Sequence, residues 1–189
     1  VKLQKGGPRA ALLLALVLAV ATGVVSPAGA SADIPWGVGC VPLAEGAEKT
    51  AANCGASLVD GEAIPPPGAP AAVKQVIRAA DEIRHRPYVW GGGHLSWLSR
   101  GYDCSGAVGY ALHGAGLLDT TMVSGQLAHW GAGGAGRWIT VYANQEHVYM
   151  VVAGLRFDTR GNPAGVSGPR WHRGWVDPTG FAPRHAAGL

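Results

Sequence analysis

Beyond its first residues this chain has no surplus charge of either sign. Lys2, Lys5 and Arg9 carry the whole formal excess of three positive charges, and after residue 32 twelve basic side chains stand against twelve acidic ones. No basic run follows, so the stripe that a nucleic-acid binder lays against phosphates is absent. Long apolar runs are scarce too. The apolar run at residues 10–25, which contains no charge, is shorter than the ~20 residues a membrane span requires. With basic residues before it and the small-residue stretch "SPAGASA" after it, it has the layout of a secretory signal, cleaved after Ala30 or Ala32. The expected product is an exported, near-neutral monomer of about 157 residues, free of the membrane after cleavage.

Cysteine is equally sparse, with three in 189 residues. Cys40 and Cys54 lie close together in a segment expected to be exported, where a disulfide is chemically permitted. Cys104 is then left over, as a sealed core residue or as a reactive thiol. The seven histidines show neither His-Glu-x-x-His nor pairing with Cys-x-x-Cys, so neither a metal nor any other cofactor is expected. The triple glycine 91–93 lacks the Lys-Ser or Lys-Thr of a phosphate loop, and close backbone approach explains it better.

Three segments follow the presumed signal. Residues 33–64 show no sustained period and read as a loop-rich extension, closed by the proline-rich linker "PPPGAP" at 65–70. The folded domain is expected over 71–189. Val73, Val76, Ile77, Ala80 and Ile83 repeat at helical spacing up to Pro87. A second helix should begin at Cys104, with the small face Ala107, Val108, Ala111, Leu112 and Ala115, and a third, short one within 121–131. The segments 137–143, 147–153 and 155–159 are dense in β-branched and aromatic residues and predict an antiparallel meander, with 180–185 as a candidate edge strand. Helices first and strands after them indicate an α+β fold.

Within that frame three residues can carry covalent chemistry. Asp103 is a natural helix N-cap, which puts Cys104 in a first turn where free N–H groups and the helix dipole favour a thiolate. His147 opens an apolar strand, and Asp158 lies on the next one. Neighbouring antiparallel strands can set the carboxylate against one imidazole nitrogen and aim the other at sulfur. Each also has a plain structural role, His147 as a polar strand end and Asp158 as a turn former. Asn144 and His172 are alternative orienters.

"PYVWGGG", then "GYDCSGAVGYAL", then "HVYMVV", in this order and at these gaps, resemble the NlpC family of bacterial cell-wall cysteine peptidases over residues 71–160. The resemblance implies a papain-like core in which a cysteine-bearing helix packs on an antiparallel sheet. It puts the nucleophile on Cys104, the base on His147 and the third polar residue on Asp158, where the family more often has histidine, asparagine or glutamine. It also places a tyrosine hydroxyl, Tyr88, near the sulfur, and gives Asp103 and Ser105 the task of holding the free amino end of a peptide. The implied partner is a peptidoglycan stem peptide, cut next to D-glutamate by a secreted, wall-associated enzyme. The same triad could serve acyl transfer or amidase chemistry, and an inert Cys104 would leave a non-catalytic wall module. The family's Gly-Asp-Leu-Val-Phe strand entry is replaced here by "GRWITVYA".

Overall fold

The computed structural model describes Val1, residues 55–174 and residues 176–189. The presumed signal and the Cys40–Cys54 pair lie outside these residues. Among the described residues no helix is long and apolar enough to cross a membrane.

Helix α1 spans Ala71–Ile83 and α2 spans Cys104–His113. The anticipated face of α1, Val73, Val76, Ile77, Ala80 and Ile83, is buried. A short helix, α3, spans Ser124–Leu127. The strands are β1 (Ser57–Val59), β2 (Glu62–Ile64), β3 (Ala132–Gly133), β4 (Ile139–Ala143), β5 (Val148–Val152), β6 (Leu155–Asp158), β7 (Arg170–His172) and β8 (Ala182–His185). β1 and β2 form a hairpin, and the other six make an antiparallel sheet in the order β3-β8-β4-β5-β6-β7. Both long helices pack on it, with α2 against β5 and β6. The fold is α+β, a cysteine-bearing helix on an antiparallel sheet.

Strand alternation divides the sheet's side chains. Val141, Val148, Met150, Val152 and Phe157 join Val108 and Leu112 of α2 in the main core, while Tyr142, Tyr149 and Val151 pack on the opposite face with Phe181.

Three expectations need correction. The extension was expected to stay outside the domain up to residue 70, but residues 56–69 belong to it. Ala63 and Ala69 lie in the core, the Ala63 N–H donates to Asp81 Oδ1 of α1 at 3.2 Å, and Ala56 N–H donates to the Ala153 carbonyl at 2.8 Å. The physical reason is the Asp60-Gly61 turn. Both residues have positive φ, 49° and 80°, which matches the twist of a tight hairpin. Second, 182–185 is not an edge strand but lies between β3 and β4. Arg184 fixes it there, donating to the carbonyls of Trp130 at 2.6 Å and Gly131 at 2.8 Å. Third, β7 was not anticipated. It is held by Trp171, which packs on Phe157 and donates its Nε1–H to Asp81 Oδ1 at 2.9 Å.

The glycine run 91–93 lies directly on the start of α2. A Cβ on Gly106 would sit 1.9 Å from the Gly92 carbonyl oxygen, and the Asp103 N–H donates to that same oxygen at 3.2 Å. This contact holds the loop from Tyr88 to His94 against the helix that bears Cys104. Gly106→Ala is therefore expected to lower stability by about 1–3 kcal/mol through overpacking, measurable by denaturant unfolding, whereas Gly109→Ala, whose Cβ would find its nearest atom at 3.5 Å, should cost less.

Candidate active site

The chain folds so that a helix start and two strand ends converge. Asp103 caps α2, its Oδ1 accepting the Gly106 N–H at 2.7 Å, which fixes Cys104 as the first helical residue. His147 ends the turn between β4 and β5. That turn is set by Asn144, whose Oδ1 accepts the N–H groups of Glu146 and His147, each at 2.9 Å, while its own N–H donates to the His147 carbonyl. Asp158 closes β6. Because Met150 pairs with Phe157, Asp158 and His147 fall on one sheet face as diagonal neighbours.

The structure thus brings Cys104, His147 and Asp158 together, all three buried. His147 Nε2 lies 2.9 Å from Asp158 Oδ1, and the imidazole is near enough to the Cys104 thiol for each to shift the other's protonation. With Nε2 committed to the carboxylate, Nδ1 is the nitrogen left to exchange a proton with sulfur. Phe181 covers the imidazole edge-on, with ring centroids 6.3 Å apart.

Electrostatics follow from these contacts. Burial alone pushes the Cys104 thiol up, yet hydrogen bonds from the His147 side chain and the Val148 backbone, with the field of His147, overcome it and leave the thiol below its ordinary value. Burial pulls His147 down, but its hydrogen bonds to Asp158 and Cys104 and their negative charge raise it above the usual imidazole range. Burial likewise favours protonated Asp158. The hydrogen bond and charge of His147, the Arg160 N–H and Arg156 outweigh that and hold it below the usual carboxylate range. All three shifts favour the state thiolate, imidazolium, carboxylate.

The remaining anticipated residues surround this line. Tyr88 is exposed at the start of the glycine loop, its hydroxyl raised first by partial desolvation and then by the charges of Cys104 and Asp103. Asp103 and Ser105 are buried on either side of Cys104, with Ser105 Oγ donating to Asp103 Oδ1 at 3.1 Å. Of the alternative orienters, Asn144 spends its side-chain oxygen on the turn, and His172 stands opposite Arg156 on the outer strand.

Two residues with roles in the site were not foreseen. Arg156 is buried and donates its Nη1–H to Asp158 Oδ2. It lies two residues before Asp158 on one strand, hence on the same face, and that spacing was the available signal. His94 hydrogen-bonds Asp103 and Ser105; only its place just after the glycine run hinted at it. Among the described residues no group of three or more histidine, cysteine or acidic side chains is disposed to hold a metal ion.

No protein-family model matches the chain. Over 78 residues it is 42% identical to the peptidoglycan endopeptidase RipB of Mycobacterium tuberculosis, a match covering 36% of this chain and 30% of that protein. The chain thus spans less than a third of the length of that relative. The solved structure of the peptidoglycan hydrolase RipB superposes with a TM-score of 0.47 at 27% identity, covering 60% of this chain and 64% of the other. RipD from the same organism, described as a non-catalytic NlpC/p60 domain protein adapted to peptidoglycan binding, gives a TM-score of 0.44 at 19% identity, covering 61% of this chain and 98% of the other. In its motif order and in the cysteine helix on its sheet, the domain resembles the NlpC type.

Proposed function

We propose that this chain is a secreted, wall-associated cysteine peptidase that hydrolyses an amide bond in peptidoglycan stem peptides, next to D-glutamate. The observation that carries it is the buried line Cys104–His147–Asp158, in which each group shifts its neighbour toward the charged state. His147 takes the proton of Cys104, and the thiolate attacks the carbonyl carbon. Cap bonds to Asp103 occupy the N–H groups of Gly106 and Ala107, so stabilisation of the oxyanion falls to the first N–H groups of α2. The imidazolium protonates the leaving amine, and a water activated by His147 releases the acyl group from sulfur. Asp158 keeps the ring oriented and its positive charge compensated throughout. Tyr88 lines the approach to the sulfur.

The test is mass spectrometry of purified wall fragments incubated with the mature chain. New fragments ending at D-glutamate are expected. Cleavage at the sugar-peptide junction would make the chain an amidase, transfer of the acyl group to an added amine would make it an acyltransferase, and an unchanged digest with retained wall binding would make it a non-catalytic module.

The pH profile should follow from the pair. The rate is expected to rise as the thiolate-imidazolium state forms, below the pH at which an ordinary thiol ionises, and to fall as that state loses its proton, above the usual imidazole value. The two limbs belong to the pair rather than to either residue, and kcat/KM on a defined stem peptide measures them.

A further inference from the structure

His94 has no part in the reaction just described, yet it occupies a position beside the nucleophile. Its Nε2 lies 3.0 Å from Asp103 Oδ1, 3.1 Å from Oδ2 and 3.1 Å from Ser105 Oγ. Asp103 already has three other donors. Oδ1 accepts the Gly106 N–H at 2.7 Å and the Ser105 hydroxyl at 3.1 Å, and Oδ2 accepts the Gly91 N–H at 3.0 Å. An ionised carboxylate offers about four lone-pair sites. Two go to backbone amides fixed by the helix cap and the glycine turn, the third to Ser105 and the fourth to His94. The backbone that carries the imidazole is held in turn, because the His94 carbonyl accepts the Thr121 hydroxyl at 3.1 Å. Its side chain is more exposed than that of Asp103, 19% against 12%, so it stands on the carboxylate's open side.

We infer that His94 closes the Asp103–Ser105 position to a free amino terminus, so that this chain takes stem peptides whose amino end is already an amide, as in stems still joined to glycan. A free ammonium would have to displace the imidazole and would exchange one hydrogen bond to a carboxylate for another. An acylated nitrogen carries no charge and demands nothing of Asp103, so His94 can stay in place. This inference rests on the peptidase reading for its substrate, but the occupancy of Asp103 does not depend on it.

The experiment uses two synthetic stem peptides, one with a free amino-terminal alanine and one N-acetylated. kcat/KM is measured for the mature chain, His94→Ala and His94→Gln, and both affinities are measured on Cys104→Ala and on Cys104→Ala/His94→Ala. The parent should hydrolyse the acetylated peptide at least as well as the free one, to within about threefold. His94→Ala should shift the ratio toward the free amine by about tenfold or more, and His94→Gln, which keeps a donor, should restore it toward the parent. A parent that prefers the free amine tenfold overturns the inference. So does a His94→Ala variant that slows both peptides equally, since that is what loss of loop support alone would do. If neither peptide is cut, the peptidase reading fails, and the affinities then decide on their own. A ratio that moves with His94 upholds the closed subsite, and equal ratios or no binding overturn it.

Discussion

Cys104→Ala is expected to release no stem-peptide fragments above background while unfolding within about 1 kcal/mol of the parent. The side chain removed is small and sits at the first position of α2, where alanine fits the helix and the Asp103 cap is untouched. The rate effect is the full enzymatic acceleration, because no other described nucleophile stands against His147. Cys104→Ser should be nearly as inactive, since a hydroxyl ionises far less readily than a thiol beside the same imidazole. Digestion of purified wall material and denaturant unfolding of the same preparations measure both halves of the prediction. Full activity in either variant would remove the cysteine mechanism.

The second large effect is expected at Asp158. The carboxylate faces three donors, with His147 Nε2 and the Arg160 N–H on Oδ1, each at 2.9 Å, and Arg156 Nη1 on Oδ2. Asp158→Ala leaves the Arg156 guanidinium buried without its partner, so it should lose stability as well as rate, by about 3–5 kcal/mol for a broken buried pair. Asp158→Asn is more informative. An amide has one accepting end, so it can satisfy either His147 and Arg160 or Arg156, never both. If the amide oxygen turns to Arg156, its NH2 group faces His147 and imposes the wrong tautomer, and the rate should fall by about 10²–10⁴. Replacing Arg156 by leucine in the Asp158→Asn background removes the competitor and should return part of that loss, because the amide oxygen can then face the imidazole. Rate constants on a defined peptide check this. A double variant no faster than Asp158→Asn would mean that Arg156 does not control the orientation of residue 158.

Residues whose neighbours in sequence are also their neighbours in space were legible from the chain alone. The α1 face follows from the spacing of Val73, Val76 and Ile77, and the start of α2 from Asp103 as a cap. β4, β5 and β6 are consecutive strands joined by short turns, so the proximity of His147 to Asp158 is a local fact. The hairpin at 57–64 was not recognised because each strand has three residues, too few to show alternation, although Asp60-Gly61 marked its turn. β7 is equally short and is placed by Trp171 reaching α1 across 90 residues of sequence. Arg156 and His94 escaped for a different reason. A charged residue on a strand ordinarily faces water, and only the assembled sheet and the loop docked on Gly106 show that each meets a carboxylate. Signal cleavage and pairing of Cys40 with Cys54 concern residues outside those described.

The central claim is that Cys104 and His147 form an ion pair held by Asp158. Iodoacetamide labelling of Cys104 across pH, in the folded parent and in His147→Ala, tests it most directly, because alkylation reports the thiolate whether or not a substrate has been found. The parent is predicted to label well below the pH at which a free thiol ionises, with burial opposing and His147 overcoming that opposition. In His147→Ala burial acts unopposed by the imidazolium, and the labelling curve should move to higher pH, with less thiolate at neutral pH. A parent that titrates as a single ordinary thiol near ~8.5, with a curve unchanged in His147→Ala, would contradict the account.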